Sequence, residues 1–377
     1  MAIIHEMKIA LVCVTLGHVL RGFESFTESL FVELRRAAPG LDVTLFQGGG
    51  PEGNGRVIIR NFFRQDWLRT CLPNGSAIRL EQRAYALPLY LYLRRGRYDI
   101  VHYNELVMGS ALFHLRRLFG GRFRLLYCNG APSPPVHYHH RCDFAQVLTG
   151  PMYEEARSFG ISPERLFLLP YGVDAHRFSP ENRFHRSRIR SQLGIPEDAR
   201  VVLTVAALKR EHKRVDYVIR ELASLKEPLW LLAAGQRTED TPFLEKEAER
   251  LLPGRWRFVS WPHASIHLLY GAADVFVLAS LSEAFGLGTV EALLSGLPVV
   301  IHDSPTNQWI LNGQPNSLCD LSPKGALAGK LKEMRIARSS RGAHETLAMR
   351  FSWSSLIPEY LRMYQKAVQT PNPGSNR

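Results

Sequence analysis

Residues 275–303, VFVLASLSEAFGLGTVEALLSGLPVVIHD, decide the fold. The stretch opens on Val275-Phe276-Val277-Leu278-Ala279, an apolar run short and β-branched enough to be a buried parallel strand. A polar turn from Ser280 to Glu283 leads into the glycine-punctuated Phe285-Gly286-Leu287-Gly288. Leu287, Val290, Leu293 and Leu294 then fall on one face of a helix. Gly296 supplies the helix stop, and Pro298 starts a second buried strand to Ile301. This is one α/β strand-loop-helix-strand unit whose crossover should be right-handed, a unit of the sort found in doubly wound sheets.

The loop lies at the carboxyl end of a strand and the amino end of a helix, where such sheets bind ligands. Backbone N–H groups around Leu287, Gly288 and Thr289 would point outward there with the positive end of the helix dipole, a site suited to a phosphate or diphosphate. Glu283 and Glu291 flank it with seven residues between. Carboxylates repel phosphates but accept hydrogen bonds from sugar hydroxyls, so the combination describes a nucleotide-sugar site. The competing reading makes Glu291 a complement to the helix dipole and Glu283 a solvated turn residue.

The pattern Glu283-Ala-Phe-Gly-Leu-Gly-Thr-Val-Glu291, followed by Ala-Leu-Leu-Ser-Gly-Leu-Pro-Val-Val, resembles the E-x7-E signature of the retaining, sugar-nucleotide-dependent glycosyltransferases of family 4. These have the GT-B architecture: two Rossmann-like domains facing a cleft, and a C-terminal helix that crosses back to the first. The resemblance is strongest from Leu166 to Val300. Leu166-Phe-Leu-Leu-Pro170-Tyr-Gly172-Val-Asp174 through Phe178 is similar to the family's interdomain passage. The implied domains are 1–180 on the acceptor side and 181–350 for the nucleotide sugar, with a helix over 351–369 and a disordered tail over 370–377.

Length and composition agree with two domains: 377 residues exceed one ordinary core, and 45% of them are hydrophobic. No run of 18 apolar residues exists, and the first residues, MAIIHEMKIALVCVTL, read as an opening strand rather than a signal peptide. Cys13, Cys71, Cys128, Cys142 and Cys319 are odd in number and lack Cys-x-x-Cys spacing, which points to a reduced, cytoplasmic protein without structural zinc. The net charge of +12 is concentrated at Arg94-Arg95-Gly-Arg97, at Arg116, Arg117, Arg122 and Arg124, and from Arg183 through Arg190. Such runs are commonly solvated faces, but they also suit anionic substrates or peripheral contact with an anionic membrane. No zinc-finger spacing or RNP motif points to nucleic acid.

Along the chain, strands are expected at Lys8 to Leu16, Leu41 to Phe46, Asp99 to Tyr103, Phe123 to Cys128, Ala145 to Thr149, Val201 to Ala206, Leu229 to Ala234 and Trp256 to Val259. Helices are expected from about Glu24 to Ala37, Val215 to Leu225 and Phe351 to Ala367. Gln47 to Gly53 is glycine-rich, but no helix pattern follows, so it reads as a loop. His137, His139, His140 and Cys142 could suggest a metal cluster; loop clusters of this kind are mostly not sites.

The resemblance assigns roles to further positions. Gly22, in Arg21-Gly22-Phe23-Glu24, matches a glycine loop opposite the donor diphosphate. The aromatic and basic residues 54–97, with Phe62, Phe63, Trp67, Tyr85, Tyr90 and Tyr92, correspond to an acceptor region. Asn129 stands where relatives carry a histidine near the reacting sugar, a departure that puts a histidine role in doubt. Lys213 matches a lysine facing the diphosphate. The companion arginine position is Ala207, so Arg210 or Lys209 would supply that charge. Ser260-Trp261-Pro262-His263 matches the loop that meets the base.

The resemblance therefore implies transfer of a sugar from a nucleoside diphosphate to an acceptor hydroxyl with retention, without a metal or other cofactor. Glu283 would hold the sugar and Glu291 the ribose, while Lys213, Arg210 and the amides of Phe285, Gly286, Leu287, Gly288 and Thr289 would hold the diphosphate. The acceptor would be a small molecule, a glycan or a lipid-linked compound. An epimerase or phosphorylase on the same architecture, or a non-catalytic binding relative, is the alternative.

Overall fold

The computed structural model describes residues 7–19, 21–60, 76–130, 141–313, 318–334 and 341–370. Phe62, Phe63, Trp67, Cys71, His137, His139, His140 and the tail beyond Thr370 lie outside them.

The chain divides into two compact units, residues 1–172 with 356–377, and residues 173–355. The first is built on β1 (Lys8–Cys13), α1 (Gly22–Ala37), β2 (Asp42–Gln47), β3 (Arg56–Ile58), α2 (Ser76–Gly96), β4 (Ile100–Tyr103), α3 (Leu106–Phe119), β5 (Arg124–Asn129), β6 (Phe144–Val147), α4 (Gly150–Ser158) and β7 (Leu166–Leu168). Its seven strands are parallel in the order β3-β2-β1-β4-β5-β6-β7. Ile9 to Cys13 are fully buried, as expected for a central strand with helices on both faces. α1 turns Phe26, Leu30, Phe31 and Leu34 inward at helical spacing.

The second unit holds α5 (Arg186–Leu193), β8 (Val201–Val205), α6 (Val215–Ala223), β9 (Trp230–Ala234), α7 (Thr241–Leu251), β10 (Trp256–Val259), α8 (His267–Ala272), β11 (Val275–Leu278), α9 (Leu287–Leu294), β12 (Val299–His302), α10 (Pro305–Leu311), β13 (Leu318–Cys319), α11 (Ala326–Glu333) and α12 (Arg341–Phe351). The parallel order is β10-β9-β8-β11-β12-β13. Strand order therefore reverses between β8 and β11, the crevice where doubly wound sheets take ligands. In the first unit the same reversal falls between β1 and β4.

The division falls after Gly172, ahead of the expected boundary at 180. Val173 already belongs to the second unit, since its N–H bonds Phe351 O at 2.8 Å and its carbonyl accepts the Trp353 N–H at 3.1 Å. After a break at Ser352 the last helix, α13 (Trp353–Gln369), enters the first unit at Leu356. Tyr360 Oη donates to Pro170 O at 2.9 Å and accepts Gln146 Nε2 at 2.9 Å; Tyr364 Oη meets His102 Nδ1 at 2.8 Å. Burial pushes His102 down to about 3, so this contact is made by a neutral ring.

One expected charge run is internal in part: Arg183 and Arg188 are exposed, while Arg186 and Arg190 turn inward. Arg190 is fully buried and donates to Ala272 O, Pro196 O, Glu197 O, Ala199 O and Asp274 Oδ2. Asp274 also accepts Arg186 Nη1 and the Val201 N–H, both at 2.8 Å. Burial raises the Asp274 carboxyl, but these bonds and charges outweigh it and hold the group below the usual carboxylate range. Arg116 likewise pairs with Asp143.

Candidate active site

The loop after β8 and the loop after β11 are stitched together at three successive residues. His212 Nε2 lies 3.0 Å from Ser282 O. Lys213 Nζ sits 2.5 Å from Glu283 Oε1, with the side chains 22% and 11% exposed. Arg214 donates to Ala279 O at 3.2 Å and Leu321 O at 2.7 Å while stacking on Tyr217 at 4.1 Å. His212 and Arg214 both take left-handed backbone, φ 63° and 50°. Non-glycine residues hold that conformation only where their surroundings enforce it. These bonds supply the enforcement, and the result is a fixed, half-buried cation–carboxylate pair at the strand reversal.

Beside the pair, Gly286 caps α9 in left-handed geometry (φ 76°, ψ 57°), a conformation glycine adopts without penalty. Of the expected amides, that of Thr289 is engaged within the first turn of the helix. The Thr289 N–H donates to Gly286 O at 2.9 Å, while those of Leu287 and Gly288 take no acceptor within the described residues. The Phe285 side chain turns into the core against Phe351. Gly288 has a steric reason: a Cβ would stand 3.3 Å from Phe276, 3.4 Å from Val205 O and 3.5 Å from Tyr270 Oη.

Glu291 accepts Tyr270 Oη at 2.6 Å through Oε2. Burial pushes its carboxyl up to about 7, although the Tyr270 hydroxyl and the Arg177 charge pull the other way. Arg177 donates from Nε to His267 Nδ1 at 3.2 Å, and its buried Nη2 has no hydrogen-bond partner among the described residues. Burial lowers the Arg177 pKa against the opposing pull of Glu291, Asp174 and Tyr270. Asp174 Oδ1 fixes the turn by accepting the N–H groups of His176 and Arg177.

The remaining expected residues lie elsewhere. Arg210 stacks on Phe243 at 4.4 Å and donates its N–H to Asp240 Oδ2 at 3.0 Å, and Lys209 is 3.7 Å from Glu239. Neither side chain joins the Lys213–Glu283 pair. Pro262 and His263 follow β10, two strands from β8, in a short turn closed by Trp261 Nε1 on Ser265 O. In the first unit, Gly22 is exposed as the first residue of α1, and Glu24 beneath it takes Arg21 and the Thr15 hydroxyl. Asn129 ends β5, buried, with Tyr127 Oη 3.5 Å from its Oδ1.

Tyr270 and Arg177 escaped the sequence reading. Tyr270 lies in the short helix just before β11, where no motif marks it. Arg177 lies inside Asp174-Ala-His-Arg177-Phe178, where the resemblance is to an interdomain passage and not to a binding site.

Residues 185–334, which contain this site, match the family described as Glycosyl transferases group 1. The chain is a glycosyltransferase with the GT-B fold, and its match to that family runs over the second unit. The glycosyltransferase is 27% identical over 319 residues to the D-inositol 3-phosphate glycosyltransferase of Corynebacterium glutamicum, covering 73% of this chain and 74% of that one. Its 28% identity to the protein so named in Mycobacterium tuberculosis spans 75% of this chain but under two thirds, 64%, of the relative. Among solved structures, sucrose-phosphate synthase of Thermosynechococcus elongatus superposes with TM-score 0.79 at 20% identity, over 96% of this chain and 99% of that one. Anabaena HepE in complex with UDP and glucose gives TM-score 0.74 at 18% identity, over 96% and 100%. At these identities the structures speak for the fold.

Proposed function

We propose that this glycosyltransferase moves a sugar from a nucleoside-diphosphate sugar to an acceptor hydroxyl with retention of anomeric configuration. The observation that carries the reading is the set Lys213, Glu283, the Leu287 and Gly288 amides and Glu291, gathered at the strand reversal. Lys213 and the two amides face the diphosphate, Glu283 takes hydroxyls of the sugar, and Glu291, held by Tyr270, takes the ribose. HepE, solved with UDP and with UDP-glucose, supports a donor of this class.

In the proposed step the bond from anomeric carbon to phosphate oxygen breaks, and the acceptor oxygen bonds to that carbon from the same face. The acceptor proton passes to the departing diphosphate oxygen. Retaining hydrolases use a carboxylate nucleophile beside a second carboxylate; Glu283 is engaged by Lys213 and Glu291 by Tyr270. The charge that develops on the diphosphate is met by Lys213 and the amide dipoles, and positioning supplies much of the remainder. The proposal requires no metal. The named activity of the corynebacterial relative makes a polyol phosphate the first acceptor to try.

The test is a thermal-shift panel of UDP, GDP, ADP and dTDP and their sugars, with and without EDTA, on wild type and Glu291→Ala. One base should raise the melting temperature of wild type but not of the variant. Proton NMR of the product then reads the anomeric configuration. Absence of any shift, or a glycosylated enzyme trapped by Glu283→Gln, would overturn the proposal.

A further inference from the structure

Outside the donor site, the surface of the first unit carries an apolar stripe with a basic border. On α2, Leu80, Ala84, Leu87 and Leu91 recur at spacings of four, three and four, so they form one line along the helix. Leu80 is 41% exposed, Leu87 52% and Leu91 43%. The opposite face is used normally: Tyr85, Ala86, Leu89, Tyr90 and Leu93 are buried. The exposed leucines are therefore additional to what packing needs. Beside them, at the end of α3, stand Leu118 and Phe119, 74% and 58% exposed, with the Phe119 ring centroid 6.4 Å from that of Tyr90.

The border is one-signed. Residues 76–98 and 106–124 contain a single acid, Glu81, and it is buried. Arg83, Arg94, Arg95, Arg97, Arg117 and Arg122 are exposed, and no ion pair engages them among the described residues. Arg83 and Arg94 flank the leucine line on one side and Arg95 on the other, by helical spacing. Contiguous exposed apolar surface rimmed by charge marks a place of contact. The stripe is the convex face of one helix, which suits a deformable lipid interface, where leucines enter the headgroup boundary while arginines meet lipid phosphates. Nucleic acid would set its phosphates against the leucines.

We infer that the α2 face carrying Leu80, Leu87 and Leu91, with the end of α3, docks on an anionic lipid bilayer. No helix among the described residues is long and apolar enough to cross a membrane, so the contact is peripheral. It brings the first unit of the enzyme to a surface where amphiphilic acceptors reside. The contact itself does not depend on the transferase reading, since binding to vesicles involves no sugar donor. Each arginine brought near an anionic leaflet strengthens binding about fivefold, and salt weakens that part within a Debye length.

The experiment is flotation of the full chain with vesicles of phosphatidylcholine alone or with about one-third phosphatidylglycerol. Wild type should float with the anionic vesicles and not with the neutral ones. Leu87→Ser/Leu91→Ser and Arg94→Glu/Arg95→Glu should each lower the bound fraction at least about tenfold. All four positions are exposed, so each double variant should keep the wild-type melting temperature and its shift by the nucleotide sugar. No flotation at low salt, flotation unchanged in both variants, or a dimer that the leucine variant dissociates would overturn the inference. Lost flotation with the nucleotide shift intact removes the membrane face alone; a lost nucleotide response with flotation intact removes the transferase reading alone.

Discussion

Substituting Glu291 by glutamine should do opposite things to stability and to donor binding, and pH separates them. The carboxyl is raised from 4.5 to about 7, chiefly by burial. An acid raised on folding gives its full stability below the unfolded pKa and loses it as pH rises through the folded value. The rise corresponds to about 3 kcal/mol, or about 2 kcal/mol after allowance for partial exposure. Glu291→Gln, a neutral isostere, should therefore match wild type near pH 5 and exceed it by about 2 kcal/mol at pH 8, read from urea unfolding midpoints. Binding runs the other way, because ribose hydroxyls donate best to the ionised carboxylate. Below about pH 7, wild-type affinity should fall about tenfold per unit, while the variant stays flat and is about tenfold or more weaker at pH 8. Calorimetry with an intact nucleotide sugar is the assay, since its diester has no proton to lose in this range. An affinity ratio that does not change between about pH 5.5 and 8.5 would refute the role given to Glu291.

Removing the cation at the pair, Lys213→Ala, should cost about 10² to 10³ in kcat with the fold kept, whereas Arg210→Ala, whose guanidinium lies on Phe243, should cost under about tenfold; equal losses would return Arg210 to the diphosphate. Gly286→Ala meets nothing closer than Thr289 Oγ1 at 3.5 Å, so its penalty of about 1–2 kcal/mol comes from the left-handed backbone alone, and thermal unfolding should show it together with weaker donor binding. Asp274→Asn strips the paired charge from buried Arg190 and should destabilise the second unit by about 3–5 kcal/mol. Because the Asp274 carboxyl is held low, its contribution is present at neutral pH and fades as pH falls through the folded value, which acid titration of wild type against Asp274→Asn would record.

The α/β alternation and the 275–303 unit were legible because buried parallel strands and amphipathic helices write their periods into the chain. β11 and α9 fall where the pattern puts them. α2 and α3 were not legible for a related reason. Leu80, Leu87 and Leu91 add apolar residues to the exposed side of α2, and Pro88 interrupts it, so no single face stands out. The feature that hid the helix from the sequence is the one that makes its surface unusual.

Charge was legible as composition but not as location. Arg190 and Asp274 lie 84 positions apart, and the run containing Arg190 looks as exposed in the sequence as Arg94 and Arg95. Only the packing of α5 against α8 shows that one arginine closes a buried network while the others meet solvent. The Lys213–Glu283 pair spans 70 positions, yet it follows from topology. Both residues follow strands that become neighbours when the winding reverses, and their loops must share one edge of the sheet. What topology leaves open is the rotamer. It puts Lys213 and Arg210 on the same loop, and local partners, Glu283 for one and Phe243 for the other, decide which cation reaches the site.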